Sequence, residues 1–195
     1  MKSIKSCLKV FFISFSALFL VQSCNNTDDN IVINKFSFEN IAYETSHGIV
    51  SNYGAWDRPG SFSIILMSSE LDNRTHGYEG QGDMVSFWLI SSDPSKILPG
   101  IYALDKNALP VKNSGNYDFG IRKPNTSFQI GVFITYKAET DSTILSCDFY
   151  SWANEGNITI NSIENDVYDL DYNFKINEGK NVAGHYKGVL LQNEQ

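Results

Sequence analysis

Phe128, Ile130, Val132, Ile134 and Tyr136 occupy alternate positions, with Gln129, Gly131, Thr135 and Lys137 among the residues between them. Tyr168, Leu170, Tyr172, Phe174 and Ile176 do the same against Asp169, Asp171, Asn173 and Lys175. A spacing of two puts one set of side chains on one face of an extended strand and the other set on the opposite face, whereas a helix would scatter them around its circumference. Both stretches are therefore predicted to be half-buried strands, one face on a core and one in water.

Weaker copies of the pattern recur. Phe36 and Phe38 begin a first strand, and Ile41 and Tyr43 break its parity, which places a bulge or turn near Glu39-Asn40. Further strands are expected over 61–68, 84–91, 100–105, 116–122, 144–152, 156–162 and 182–191. Turn chemistry separates them at Asp57-Arg58-Pro59-Gly60, Asp93-Pro94-Ser95, Leu98-Pro99-Gly100, Glu155-Gly156-Asn157 and Asn177-Glu178-Gly179-Lys180. Many short strands without a helical segment between them predict an all-β domain, an antiparallel β-sandwich or a lipocalin-like barrel of about eight to ten strands.

Two strands depart from clean alternation. In Phe62-Ser63-Ile64-Ile65-Leu66-Met67 and Met84-Val85-Ser86-Phe87-Trp88-Leu89-Ile90 both faces are largely apolar. An antiparallel strand normally keeps one wet face, so the second face needs a cover. The chain itself can supply it, as a terminal segment or the centre of a two-layer sandwich. The alternatives are a partner, or an apolar ligand in a barrel mouth.

The N-terminus reads as an export signal. Lys2, Lys5 and Lys9 precede or border an apolar run from Val10 to Val21 that is interrupted only by Ser14 and Ser16. A membrane-crossing helix needs ~20 apolar residues, and this shorter run has the length of a secretory leader. It ends in Val21-Gln22-Ser23-Cys24, which resembles a bacterial lipobox, with Gln22 a mild departure at the spacer position. The resemblance implies cleavage before Cys24 and acylation of its thiol and amine. Two or more chains give stable anchoring where one gives marginal binding, at ~0.8 kcal/mol per buried methylene. The expected organisation is a signal helix over 1–23, a lipidated Cys24 with a polar tether over 24–33, and a single domain over 34–195. Asp28-Asp29 in that tether looks like a weak version of the acidic export signal that follows the cysteine in lipoproteins of Bacteroidota-type bacteria. The implied location is the outer membrane, facing outward.

Charge narrows the partners. Three of the fifteen Lys and Arg residues and none of the 22 Asp and Glu residues lie in 1–23, so the remainder carries a net charge of −10. Nucleic acid and anionic headgroups require clustered cations and are not expected partners. Cys147 alone remains after Cys7 leaves with the leader and Cys24 is acylated. It alternates with apolar neighbours and reads as a buried small hydrophobe.

The C-terminal half carries Gly156-Asn157-Ile158-Thr159-Ile160, then Tyr168-Asp169-Leu170-Asp171-Tyr172, then Asn177-Glu178-Gly179-Lys180 and Gly184-His185-Tyr186-Lys187-Gly188. With Leu98-Pro99-Gly100-Ile101-Tyr102, this resembles small uncharacterised Bacteroidota-type outer-membrane lipoproteins with an all-β sandwich or calycin-like barrel domain. The resemblance speaks for fold and location, and it brings no catalytic residues.

Chemistry-bearing motifs are sparse. The sequence has no G-x-S-x-G, H-E-x-x-H, C-x-x-C or Walker loop, and nothing calls for a cofactor or a resident metal. His47, His76 and His185 are far apart in sequence. Asp166, Asp169 and Asp171 would serve glycoside hydrolysis only if two carboxylates stood ~5–9 Å apart across a cleft, and Asp169 and Asp171 share the wet face of their strand. The glycine-rich stretch Arg74–Asp83 reads as a hairpin loop, with Glu79 and Asp83 as oxygen donors but without a calcium-loop spacing. In the loop over 51–58, Tyr53 and Trp56 offer flat faces, and Asn52, Asp57 and Arg58 offer hydrogen bonds. With Tyr78 from the loop over 76–83 these are the candidate binding residues for a sugar or protein partner. Asp141-Ser142-Thr143 resembles a short O-glycan acceptor, with Ser142 as the acceptor.

The expected function is a lipid-anchored envelope protein acting as a non-enzymatic binding or accessory module for a glycan or protein. The alternative is a lipocalin-like carrier holding a small apolar ligand against Phe62, Leu66, Phe87 and Trp88. A minor glycoside hydrolase is the remote third.

Overall fold

The computed structural model describes residues 34–54, 59–69, 71–74, 77–105, 111–113, 116–118, 125–138 and 146–193. The strands are β1 (Lys35–Phe38), β2 (Ile41–Glu44), β3 (His47–Asn52), β4 (Ser61–Met67), β5 (Leu71–Arg74), β6 (Gly77–Ile90) and β7 (Gly100–Leu104). They continue with β8 (Val111–Asn113), β9 (Asn116–Asp118), β10 (Thr126–Ala138), β11 (Ser146–Glu164), β12 (Val167–Ile176) and β13 (Asn181–Gln192). No helix among the described residues is long and apolar enough to cross a membrane.

Eight strands close into a barrel, in the order β3-β4-β6-β10-β7-β11-β12-β13 and back to β3. The barrel, rather than the sandwich, is thus the form the all-β pattern takes. β1 and β2 extend the sheet beside β13, β5 pairs with β6, and β8 with β9 forms a separate hairpin. Two seams are parallel, departing from the antiparallel expectation. Leu190, Leu191 and Gln192 pair with Gly48, Ile49 and Val50, and Thr126 and Ser127 pair with Ala103 and Leu104. The second seam arises because the chain leaving β6 skips one slot to lay β7 beside β11, and β10 then fills the slot between.

Local turn chemistry sets the hairpins. Glu39 and Asn40 have φ of 50° and 65°, and Asn165 and Asp166 have φ of 51° and 63°. Two successive positive-φ residues form the two-residue turn whose twist matches that of its strands. The first pair joins β1 to β2 and accounts for the parity break expected there. The second pair joins β11 to β12, where Glu164 sits opposite Val167.

Three expected boundaries move. Glu155-Gly156-Asn157 is a bulge inside one long β11, not a turn between two strands. The register against β12 shifts between Ala153 and Glu155, and Gly156 has φ of 135°. A Cβ there would lie 2.4 Å from the Asn173 carbonyl oxygen and 2.5 Å from Phe174 Cα, so the glycine is needed for backbone approach. The expected loop over 76–83 is strand from Gly77 onward, because β5 supplies a partner that pairs Leu71 with Gly80 and Arg74 with Gly77. The strand expected over 116–122 is instead short β9, paired with β8 outside the barrel.

Alternation holds inside. Phe62, Ile64 and Leu66 of β4 face Leu89, Phe87 and Val85 of β6 across the ladder, and all six are buried. Phe87 meets Tyr172 at 4.9 Å and Phe174 at 6.5 Å, both edge to face. These rings, with Tyr186 and Leu170, fill the barrel's middle. The second faces of β4 and β6 are also sheltered: Met67, Met84 and Ile90 are buried, and Tyr53 lies on Trp88 with ring centroids 4.7 Å apart.

Candidate functional site

The packed interior stops short of one end of the barrel. There a cavity of about 380 Å³ opens. Val50 and Asn52 of β3 and Phe62 of β4 are the inward positions at that end, and Ile163, Asp166 and Tyr168 enter from the β11–β12 hairpin. Gln192 of β13 completes the wall, and the segment 95–99 crosses the mouth.

That segment is held at three points. Asp93 accepts hydrogen bonds from the Ser95 amide at 2.8 Å and the Ser95 hydroxyl at 2.7 Å. These bonds, helped by nearby Lys96, hold its carboxyl below the usual carboxylate range. Ile97 is driven into the core with only 4% exposed. Tyr102, fully buried, donates to the Leu98 carbonyl at 2.8 Å and accepts from the Leu98 amide at 3.1 Å. Pro99 cannot donate a backbone hydrogen bond, so the Tyr102 hydroxyl braces the segment where its own backbone cannot.

Tyr168 is the buried polar residue of the cavity. It is 8% exposed, and no hydrogen bond uses its hydroxyl among the described residues. Burial, with the Asp166 carboxylate beside it, pushes its phenol above the ordinary tyrosine range, so it stays a proton donor at neutral pH. Asn52 at the opposite wall accepts the Gly54 amide on its Oδ1 at 2.8 Å. The walls are thus apolar at Val50, Phe62, Ile97 and Ile163, and polar where Tyr168, Asn52, Lys96 and Gln192 meet the rim. A small molecule with an apolar body and a polar head is the ligand such a pocket accommodates. Among the described residues no three His, Cys, Asp or Glu side chains come together as a metal-holding group.

The residues expected from sequence fall in several places. Of the loop candidates, Tyr53 is described and stacks on Trp88, whose indole N–H donates to the Ser61 hydroxyl at 2.7 Å. Trp56, Asp57 and Arg58 lie outside the described residues, as do Cys24, His76 and Ser142. Tyr78 stands in β6 opposite Asn73, as does Glu79 opposite Asp72. Asp83 pairs through its backbone with Ser68. For the carrier alternative the structure corrects the lining. Phe62 borders the cavity, but Leu66 and Phe87 are packed beneath it with 0% and 1% exposed. Trp88, next to inward Phe87 on the same strand, faces out of the barrel.

Asp169 and Asp171 lie on the outer face of β12. The Asn161 amide donates to Asp169 at 3.0 Å and to Asp171 at 2.7 Å. Lys187 pairs with Asp169 at 2.9 Å, and His185 meets Asp171 at 2.9 Å. Asn161 first, and then the hydrogen bonds from Lys187 to Asp169 and between His185 and Asp171, hold both carboxyls below the usual range. Neither carboxyl keeps a proton at neutral pH, so this pair lacks the general acid that glycoside hydrolysis requires. Asp166 points to the other end, at the cavity. Sequence reading missed Tyr168, Lys96 and Gln192 as site residues. Tyr168 reads as one more core residue of a strand; its place as the first inward position after the Asn165-Asp166 turn is the signal that puts it at a rim.

Comparison with protein-family models, with curated proteins and with solved structures finds no match.

Proposed function

We propose that this protein is a non-enzymatic binding protein that takes a small ligand in the mouth of its barrel. The observation that carries this reading is the cavity of about 380 Å³ between Val50, Phe62, Ile97 and Tyr168, above the packed core residues Leu66 and Phe87. Its size lies within the range of small-molecule sites, ~300–1,000 Å³. It is the carrier alternative moved upward: the ligand sits above Leu66 and Phe87 instead of against them. Anchoring at an outer membrane through acylated Cys24 belongs to the same reading, supported by the leader and by Val21-Gln22-Ser23-Cys24. A lipid-tethered barrel would collect or present its ligand at the envelope surface. The glycan-or-protein reading of Tyr53, Trp56, Asp57, Arg58 and Tyr78 remains the second candidate, tested by a glycan array with Trp56→Ala as the control.

The test is fluorescence titration with 1-anilinonaphthalene-8-sulfonate as a reporter of apolar pockets. Binding to the wild type that disappears in Asn52→Trp, a lining position on the exposed side of the cavity, with the melting temperature near that of the wild type, supports the mouth as the site. Binding that persists in folded Asn52→Trp overturns it. The anchor is tested separately by metabolic labelling with an alkyne fatty acid, which labels the wild type and spares Cys24→Ser.

A further inference from the structure

We propose that the mouth selects a small apolar body carrying a carboxylate, and that Tyr168 is the residue that sets this preference. The inference rests on the mouth being a ligand site. Its basis is the balance of hydrogen-bonding groups around the cavity. The Tyr168 hydroxyl, on a side chain more than nine-tenths buried, has no partner among the described residues and can donate into the cavity. Asn52 has its Oδ1 occupied by the Gly54 amide at 2.8 Å, which leaves its amide N–H groups as its free contribution. Lys96 and Gln192 add an ammonium and a second amide at the rim. Ser95, which could otherwise serve either way, is spent on Asp93 at 2.7 Å.

Among the described residues the uncommitted donors are the Lys96 ammonium, the Asn52 amide, the Gln192 amide and the Tyr168 hydroxyl, against the Asp166 carboxylate and the Gln192 carbonyl as acceptors. A purely apolar ligand would leave the Tyr168 hydroxyl without a partner in the cavity, and an ammonium ligand would set a further donor beside the Lys96 ammonium. A carboxylate accepts through two oxygens and makes charge-assisted bonds, which are the stronger class. Asp166 is the opposing charge. It sits on the exposed Asn165-Asp166 turn, where water and salt screen it, whereas Tyr168 is only 8% exposed. The effect of Asp166 on its neighbour is also favourable, because a nearby anion keeps the phenol protonated and therefore a donor. The apolar body would lie against Phe62, Ile97 and Ile163.

The experiment is calorimetric titration of the full chain with octanoate, octan-1-ol and octylammonium, which share one body and differ in the head. Octanoate is expected to bind about tenfold or more tightly than the other two, the factor one hydrogen bond to a charged group supplies. Tyr168→Phe is expected to remove most of that preference, with a smaller effect on octan-1-ol, whose neutral hydroxyl accepts a weaker bond. Lys96→Met, on the exposed rim and away from the core, should weaken octanoate alone, and it tests the carboxylate preference independently of the core. Equal or tighter binding of octylammonium or octan-1-ol overturns the carboxylate preference and leaves the mouth as a site. An unchanged octanoate affinity in Tyr168→Phe likewise overturns the role of Tyr168. If the wild type binds none of the three, the mouth reading itself falls.

Discussion

The Tyr102 hydroxyl makes two hydrogen bonds to a single residue, donating to the Leu98 carbonyl at 2.8 Å and accepting from the Leu98 amide at 3.1 Å. A side chain from the barrel wall thereby fixes the segment that covers the cavity. Tyr102→Phe keeps the ring and removes both bonds. The expected cost is about 1–3 kcal/mol, since two part-buried backbone groups lose their partner. Chemical denaturation measures the loss. Hydrogen exchange should show faster exchange at the Leu98 amide, with little change at the amides of β12.

Gly184 lies under the Tyr172 ring. A Cβ there would sit 2.4 Å from Tyr172 Cζ. The ring cannot swing aside, because Phe87 is packed on it at 4.9 Å and Tyr172 is only 3% exposed. Gly184→Ala should destabilise by about 1–3 kcal/mol through overpacking. In a Tyr172→Leu background the same change should cost clearly less. A double-mutant cycle by thermal melting reads this coupling.

Two glycines with positive φ give contrasting outcomes. Gly156 has φ of 135° and no room for a Cβ, while Gly179 has φ of 77° and nothing within 4 Å of a Cβ. Gly179→Ala should cost about 1 kcal/mol, the strain of a left-handed alanine alone. Gly156→Ala adds a collision with the backbone of β12 and should cost about 3 kcal/mol or more. Denaturant midpoints of the two variants test the order, and equal values would contradict the bulge.

The outer-face carboxylates give the barrel a pH dependence of definite sign. Asp169 and Asp171 titrate below the ordinary carboxylate range in the folded chain, chiefly through Asn161. Their contribution is complete above the pKa of an unfolded aspartate, about 4, and is lost as pH falls through the depressed folded values. Stability at pH 3 should therefore be lower than at pH 6, and Asn161→Ala should narrow that difference. Because Asp171 is largely exposed and Asp169 is not, the smaller share comes from Asp171. Urea midpoints at the two pH values, for wild type and variant, are the measurement.

Much of the fold is legible in the residues themselves. The alternation from Tyr168 to Ile176 marks β12 with its inward and outward faces correctly assigned, and the parity break at Glu39-Asn40 marks a turn. What period two does not encode is which strands become neighbours. Nothing in Gly100–Leu104 tells that β7 skips a slot to pair with β11, or that Leu190 ends beside Gly48, because those pairings are decided by closure of the whole sheet. Gly156 was legible as a special backbone position, but a glycine permits a turn and a bulge equally well. The site was the least visible part. A barrel mouth is made from the ends of strands remote in sequence, so Asn52, Lys96, Tyr168 and Gln192 carry no shared spacing that a linear reading can detect.

The seam between β3 and β13 has a consequence for how the chain comes to be folded. Those strands meet across most of the length of the domain, and Asn34 clasps Lys187 in both directions over a still longer separation in sequence. Such remote contacts slow folding, since the loop entropy is lost before the contact is gained. Until residues 181–192 arrive, β3 and β12 each present a bare edge able to recruit a strand from another molecule. Until the last stave is set the chain is an open, adhesive sheet, and that interval is when it aggregates most readily.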